Sequence, residues 1–274
     1  MKTILIPTDF SDTARNALNY ALALFGADHR YILMNSFTEP SSGTSSMISL
    51  RDVLQEASED SLAEEVDYLK TELNHPDLKL EAISVYGETA SAISVTANKE
   101  EVDVIVMGTT GASGMKEVFI GSSAAGVLQK ANCPVITVPK NHVYKAIKNV
   151  VFASDLKETG IVELPAVFTD LIKKSNAAIT VVTVQKEAMP VGELEADEGY
   201  GLHTQLQDYQ HDFKMIESED VEAGIANYAH EIKADLIVTI PRKGSWFNRL
   251  FNPSVSKKLV QHIDMPLMAL NTVK

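Results

Sequence analysis

Three glycines and two serines within one short loop have the types and the spacing that suit binding of an anion. Two residues separate Gly108 from Gly111, and nine more separate Gly111 from Gly121, which Ser122 and Ser123 follow. Because glycine has no Cβ, the backbone at such positions can approach a ligand closely. At the start of a helix, unpaired N–H groups and the positive end of the helix dipole attract phosphate, and serine hydroxyls either bind it or cap the helix. The loop therefore predicts phosphate binding, with simple turns and a capped helix as the alternative.

The elements on either side of this loop are a strand and a helix. Residues 102–107 form an apolar run that is typical of a buried parallel strand, and apolar residues recur at helical spacing over 123–131. The amino terminus is organised in the same way, because a short strand over residues 2–6 runs into the turn Pro7-Thr8-Asp9 before a helix begins. Both stretches are thus predicted to be loops that follow a strand and open a helix.

Strands and helices alternate through the first half of the chain. The predicted strands are 2–6, 31–36, 78–85, 103–107 and 135–138. The predicted helices begin at Ser11 or Asp12 and cover 51–73, 90–99 and 123–131. This alternation predicts an α/β fold with a doubly wound parallel sheet and helices on both faces.

The long helix over 51–73 is predicted to be amphipathic. Its apolar face is expected to consist of Val53, Leu54, Ala57, Leu62, Val66 and Leu69. Its many acids, Glu65 among them, are expected to form a solvated face. Metal binding by these acids is the weaker interpretation, because no histidine is interleaved with them.

The second half of the chain repeats the first. The repeated segments are 148–155 after 2–9 at an offset of 146, and 234–238 after 102–106 and 265–268 after 133–136 at an offset of 132. A repeat of this kind predicts two copies of one fold. We place the first domain at residues 1–141 and the second at 146–274.

The glycine spacing resembles the ATP-binding loop of the universal stress protein family, and the repeat makes the whole chain resemble a tandem member of that family. The loop is not a Walker A motif, since no Gly-Lys-Ser/Thr follows, and it is not the Rossmann G-x-G-x-x-G pattern. The resemblance implies two Rossmann-like (HUP) domains, each a five-stranded parallel sheet of order 3-2-1-4-5. Strands one and four would then flank the switch point, which brings the turn after strand one beside the glycine loop.

The resemblance also implies a ligand and the residues that bind it. ATP is the expected cofactor of the first domain, with Mg²⁺ left open. Asp9 would recognise adenine, the backbone at Ser36 would contact the base, and Met107 would pack on the base or ribose. Support of the turn by Asp9 and plain core packing by Met107 are the alternatives. The predicted nucleotide-binding residues are Pro7, Thr8, Asp9, Ser36, Met107, Gly108, Gly111, Gly121, Ser122 and Ser123.

Other polar residues of the loop have no assigned role. Thr109, Thr110, Ser113 and Lys116 either face the phosphates or are solvated. No catalytic residue and no metal ligand is assigned.

The second domain lacks the three glycines. Ile240, Lys243 and Pro253 occupy their positions, and Ala153 replaces Pro7. Bulky side chains obstruct the approach of backbone to a phosphate, and proline removes an N–H group. ATP is therefore expected in the first domain only. The basic and aromatic residues of 242–251 are expected to plug the vacated pocket or to dock against another domain or a partner.

Composition argues against several classes of protein. The 274-residue chain carries a net charge of −13, which is unfavourable for binding nucleic acid through its phosphates. No apolar run approaches the ~20 residues that span a bilayer. The amino terminus passes directly into a strand without a signal-peptide cleavage region, and the single cysteine, Cys133, cannot form an internal disulfide. We therefore expect a soluble cytoplasmic protein.

The family resemblance implies a functional hypothesis, an ATP-binding regulatory or stress-adaptation module, and enzymatic activity is not expected to be its main role. The alternatives are a slow ATPase or (auto)phosphotransferase that uses the same loop, and a scaffold that binds a lipid or metabolite. Family members associate through their fifth strands, which implies pairing of Val135–Val138 with Leu267–Leu270 within one chain. A homodimer and unidentified protein partners are left open. The Ser/Gly-rich stretch at 39–49 is expected to be a mobile loop.

Overall fold

The structure is a computed structural model of the chain and describes residues 1–39, 50–71, 77–110, 120–156, 163–185, 200–241 and 264–271. The chain forms two compact units and passes from the first to the second between Tyr144 and Lys145. Within the described ranges, no helix is both long and apolar enough to cross a bilayer.

The first unit is a five-stranded parallel sheet with four described helices. Its strands are β1 (Thr3–Pro7), β2 (Arg30–Phe37), β3 (Lys79–Tyr86), β4 (Val104–Gly108) and β5 (Val135–Val138). Its helices are α1 (Asp12–Phe25), α2 (Leu50–Thr71), α3 (Thr89–Lys99) and α4 (Ser122–Lys130). The strands lie in the order β3-β2-β1-β4-β5. The predicted doubly wound sheet and its 3-2-1-4-5 order are confirmed.

The second unit repeats this organisation. Its strands are β6 (Asn149–Ala153), β7 (Ala178–Gln185), β8 (His211–Glu217), β9 (Leu236–Thr239) and β10 (Leu267–Ala269). Its described helices are α5 (Ala166–Ser175), α6 (Tyr200–Leu206) and α7 (Val221–Glu231). The strands lie in the order β8-β7-β6-β9-β10, again all parallel. The repeat seen in the sequence is therefore a repeat of the fold.

The central strand of each sheet is apolar on both faces, as expected where helices cover both sides. In β1, Ile4, Leu5 and Ile6 are fully buried, and residues 150–152 of β6 are buried to the same extent. Burial of each such side chain stabilises the fold by about 1.5–3 kcal/mol. These strands hold the turns at their carboxyl ends in fixed positions.

The predicted apolar face of α2 is only partly confirmed, because Leu62 and Leu69 are buried as expected but Ser58 and Glu65 are buried beside them. Val53 of the predicted face is 48% exposed. The prediction that Glu65 is solvated is wrong, because its side chain is only 2% exposed. The Nε of Arg15 in α1 donates to both of its carboxylate oxygens at 3.0 and 2.9 Å. A buried carboxylate requires such a partner, and the helical pattern of α2 alone does not reveal it.

Candidate functional site

A cavity of about 370 Å³ lies at the carboxyl ends of β1, β2 and β4 in the first unit. All the predicted nucleotide-binding residues except Gly111 line it. The structure therefore brings together the turn after β1, the end of β2, and the residues that precede and begin α4. Their role in binding a nucleotide stays a prediction.

Several predicted features lie outside the described residues. They are Gly111, Ser113 and Lys116 of the glycine loop, Lys243 and Pro253 of the second domain, the 242–251 segment, and residues 40–49.

The turn after β1 is held by a set of short hydrogen bonds. The Thr8 N–H donates to the carbonyl of Met34 at 2.8 Å, and the Thr8 hydroxyl accepts from the Phe10 N–H at 2.9 Å. Phe10 has a φ of +63°, the left-handed conformation that reverses the chain. Oδ1 of Asp9 accepts from both the N–H and the hydroxyl of Ser11, at 3.2 and 2.6 Å. Asp9 thus supports the turn and also lines the cavity.

The same turn connects directly to helix α1. Ser11 is its N-cap, and the Ser11 hydroxyl accepts from the Ala14 N–H at 3.3 Å. This satisfies one of the unpaired donors at the start of the helix. The side chain of Ser11 therefore caps the first turn of α1.

Helix α4 begins in a different way. Gly121 is its N-cap, and no side chain caps it. The first intrahelical bond runs from the Ala125 N–H to the Gly121 carbonyl at 2.9 Å. The preceding residues, Ser122, Ser123 and Ala124, all line the cavity. The positive end of α4 therefore meets the cavity, and the alternative that a serine side chain caps this helix is not what the structure shows.

Gly108 is required by packing within the protein. A Cβ at this position would lie 2.6 Å from Cγ2 of Thr13 and 3.2 Å from its main-chain carbon and oxygen. The glycine therefore lets α1 approach the end of β4, a reason that the sequence analysis did not foresee. At Gly121 the nearest atom to an added Cβ is the Thr109 carbonyl oxygen at 3.4 Å, an ordinary contact.

Sequence reasoning missed part of the cavity wall. The additional residues are Ala14, Met34, Asn35, Thr89, Ile93 and Ala124. Asn35 could have been noticed from the sequence, because an amide that directly follows a run of apolar residues in a strand is expected to find hydrogen-bond partners. Ser36 meets Thr89 through a hydrogen bond of 3.1 Å between their hydroxyls, which joins the end of β2 to the start of α3.

The cavity has a mixed polar and apolar lining and carries little charge. Asp9 is the only charged side chain among its described lining residues. The other polar side chains that line it are hydroxyls and one amide, from Thr8, Asn35, Ser36, Thr89, Thr109, Thr110, Ser122 and Ser123. Any anion in the described part of this site would be held by N–H groups, hydroxyls and the dipole of α4.

The second unit keeps the turn but changes its surroundings. The Ser154 N–H donates to the Val182 carbonyl at 3.0 Å, the Ser154 hydroxyl accepts from Leu156 N–H at 3.1 Å, and Leu156 has a φ of +55°. Strand register places Thr183 where the first unit has Asn35. Ile240 follows β9 where Gly108 ends β4. Asp155 therefore lies on the same kind of turn as Asp9 without the same neighbours.

Fold and cavity together define a tandem doubly wound α/β protein with a ligand-sized cavity at the switch point of its first domain. The chain belongs to the universal stress protein family, whose family model matches residues 1–139 and 147–271. Each matched segment contains one of the two five-stranded sheets.

Individual relatives agree with this assignment. Universal stress protein MJ0577 of Methanocaldococcus jannaschii is 30% identical over 156 residues, which cover 52% of this chain and 96% of the relative. A universal stress protein structure from Archaeoglobus fulgidus DSM 4304 has a TM-score of 0.68 at 18% identity and covers 100% of this chain and 97% of its own. The latter likeness shows the fold over both domains. Another universal stress protein was solved in complex with cAMP; it is 21% identical, covers 52% of this chain and 98% of its own, and has a TM-score of 0.40.

Proposed function

We propose that the first domain binds an adenine nucleotide, with ATP as the expected ligand, and that the chain is a regulatory or stress-adaptation module rather than an enzyme. The observation that carries the proposal is the convergence of the Asp9 turn and the start of α4 on one cavity of about 370 Å³. Ligand pockets of about 300–1,000 Å³ are typical of small-molecule and cofactor sites.

Phosphate binding is assigned to the start of α4. The N–H groups of Ser122, Ser123 and Ala124 precede the first intrahelical bond of the helix, and their residues line the cavity. The hydroxyls of both serines add two donors. A helix N-terminus stabilises a nearby negative charge by typically about 0.3–1 kcal/mol, in addition to these hydrogen bonds.

Base recognition is assigned to the turn after β1. Ser11 fixes one carboxylate oxygen of Asp9 with two hydrogen bonds, so the carboxylate is already oriented before a ligand arrives. An ionised carboxylate is a strong acceptor for the exocyclic amine of adenine. Met107 and the backbone at Ser36 lie on the same cavity and would contact the base or the ribose.

A magnesium ion bound to the phosphates fits the charge of the cavity. Asp9, its only charged side chain among the described lining residues, is itself negative. A triphosphate there needs compensation beyond the dipole of α4. Mg²⁺ is usually held by phosphate oxygens, water and one or two protein oxygens. The hydroxyls of Thr109 and Ser122 are oxygen ligands of that type.

We propose another role for the second domain: it stabilises the protein, pairs with the first domain or binds a different ligand. Ala153, Thr183 and Ile240 replace residues that shape the first cavity. Pairing of β5 with β10 within the chain is part of the proposal, because it would cover two sheet edges.

The proposal is tested by comparing the same substitution in the two domains. Asp9→Asn and Asp155→Asn change equivalent residues of equivalent turns. Calorimetric titration with ATP, ADP and AMP should give one ATP per chain, and Asp155→Asn should bind it as the unaltered chain does. Asp9→Asn should lose about 10- to 100-fold in affinity, since a hydrogen bond to a charged group contributes about 1.5–3 kcal/mol. Mass spectrometry of molecules released from denatured protein identifies a ligand retained during purification.

Three outcomes would count against this assignment. Absence of ATP binding, or an equal loss in Asp155→Asn, would contradict the site. Two ATP per chain would contradict binding in the first domain alone.

The double variant Gly111→Lys plus Gly121→Pro copies the second domain and should lose nucleotide binding while its circular dichroism is unchanged. Phosphate release from labelled ATP that Gly121→Pro abolishes would favour the slow ATPase instead.

A further inference from the structure

We propose that His203 and His211 in the second domain form a bidentate site for a divalent transition-metal ion, with Cu²⁺ preferred over Ni²⁺ and Zn²⁺. Nδ1 of His203 and Nε2 of His211 lie 2.8 Å apart. His203 is exposed and His211 is half-buried, so the pair is accessible from solvent. The site is independent of the nucleotide cavity of the first domain.

The fold brings the two imidazoles together from adjacent elements. His203 lies on α6, and His211 is the first residue of β8, the edge strand of its sheet. The rings have centroids 4.9 Å apart. Phe213, two residues along β8, packs its ring 6.2 Å from His203 and 5.8 Å from His211. This shared aromatic neighbour limits the positions that both imidazoles can take.

The second nitrogen of His211 is also fixed. Its Nδ1 lies 2.9 Å from the carbonyl oxygen of Tyr209. A carbonyl oxygen only accepts, so Nδ1 carries the proton and the lone pair of a neutral His211 is on Nε2, towards His203. A carbonyl that holds the non-ligating nitrogen in this way is the usual second partner of a metal-binding histidine.

The nature of the two ligands sets the expected order of metals. A separation of 2.8 Å is the ordinary length of a hydrogen bond between the two imidazoles, and it is short enough for a small ring movement to bring both nitrogens within about 2.0–2.1 Å of one ion. For nitrogen ligands the affinity of divalent first-row metals rises to Cu²⁺ and falls again at Zn²⁺. Cu²⁺ is therefore expected to bind more tightly than Ni²⁺ or Zn²⁺.

Metal binding at this site requires only a proton transfer within His203 and no added reactant. In the metal-free protein the His203 Nδ1–H donates to Nε2 of His211. When the metal binds, that proton moves to Nε2 of His203 by exchange with solvent. The lone pairs on Nδ1 of His203 and Nε2 of His211 are then both available as ligands. A small rotation of the exposed His203 ring directs the two nitrogens at one ion. The described residues contain no cluster of three or more His, Cys, Asp and Glu side chains that could hold a metal. Within the part of the chain that the structure describes, water would complete the coordination.

The test uses the full chain without an affinity tag, after treatment with a chelator. Calorimetric titration with Ni²⁺ and Cu²⁺ should show one ion per chain, and the electron paramagnetic resonance spectrum of the Cu²⁺ form should show two imidazole nitrogens. Removal of one ligand from a bidentate site should lower affinity by at least about tenfold in both His203→Ala and His211→Ala. Ni²⁺ and Zn²⁺ should bind more weakly than Cu²⁺.

The control is His230→Ala, which alters another exposed histidine of the second domain that lies 3.4 Å from Asp264. It should bind metal as the unaltered chain does, and circular dichroism of each variant checks the fold. Equal affinity in His203→Ala and the unaltered chain would overturn the proposal. Binding no tighter than that of free histidine in the same buffer would overturn it as well.

Discussion

The side-chain amide of Asn35 donates a hydrogen bond of 2.7 Å to the main-chain carbonyl oxygen of Thr8. At the other end of the amide, the carbonyl oxygen of Asn35 accepts from the Ser58 hydroxyl at 2.8 Å, and Ser58 accepts from the Ser84 hydroxyl at 2.7 Å. This chain of hydrogen bonds joins the turn after β1 to β2, α2 and β3. The turn that carries Asp9 is therefore held in place by residues that lie far from it in sequence.

Replacement of Asn35 should weaken both the first domain and its ligand binding. In Asn35→Ala the Thr8 carbonyl loses this donor and the Ser58 hydroxyl loses its acceptor, and a buried polar group that loses its partner costs about 1–3 kcal/mol. Asn35→Asp keeps the shape and the bond from Ser58, but a carboxylate cannot donate to Thr8. Urea unfolding and ATP calorimetry measure the two effects, with Thr183→Ala as the matched change in the second domain. If Asn35→Asp binds ATP as tightly as the unaltered chain, the amide does not position the turn.

A side chain at position 108 should force α1 away from the end of β4. Gly108→Ala would place a methyl group 2.6 Å from Cγ2 of Thr13, and overpacking of this kind typically costs about 1–3 kcal/mol. Thr13→Ser removes the conflicting methyl, so the double variant should regain part of the lost free energy of unfolding. Denaturant unfolding of the two single variants and the double variant gives their coupling. Strict additivity would show that the two groups do not conflict.

The buried carboxylate of Glu65 should depend on Arg15. Arg15→Ala would leave this 2%-exposed carboxylate without the hydrogen bonds from the Arg15 guanidinium. Because the Arg15 side chain is 46% exposed and water can partly replace it, we expect a loss of about 1–3 kcal/mol. Lys99→Ala, which removes the exposed partner of Glu100 at 3.5 Å, should change the stability far less, because exposed ion pairs contribute little. Thermal or urea unfolding compares them, and equal losses would contradict a special role for burial.

Glu88 should make stability depend on pH in the acid range. Its carboxylate accepts from the Ser91 hydroxyl at 2.7 Å and from the N–H groups of Ala90 and Ser91 at 3.0 Å. These bonds, the hydroxyl first, lower the pKa of Glu88 from 4.5 to about 2. A group with a lowered folded pKa stabilises the fold fully above its unfolded pKa, and that stability is lost as the pH falls towards the folded value.

The variant Glu88→Gln isolates this effect. It should be less stable than the unaltered chain at neutral pH, and the difference in the free energy of unfolding should shrink as the pH falls from about 4.5 towards 2. Urea unfolding at a series of pH values provides the measurement. A difference that stays constant over this range would contradict the assignment.

The sequence by itself determined the order of the elements, the repeat and the location of the candidate loop. Strands such as β4 were readable because a parallel strand covered on both faces is apolar throughout. The starts of α1 and α4 were readable because caps and glycines act through bonds within a few residues. The sequence also showed that Ile240 stands where the first domain has Gly108, because the repeat allows the two halves of the chain to be compared.

Only the tertiary structure decided which distant residues meet. The burial of Glu65 depends on Arg15 in another helix, the need for glycine at 108 depends on Thr13, and the support of the Thr8 turn depends on Asn35. The pairing of His203 with His211 is set in the same way, by how α6 meets the edge strand β8. In each case the deciding term is a contact or a hydrogen bond across the fold, which local periodicity and propensity do not encode.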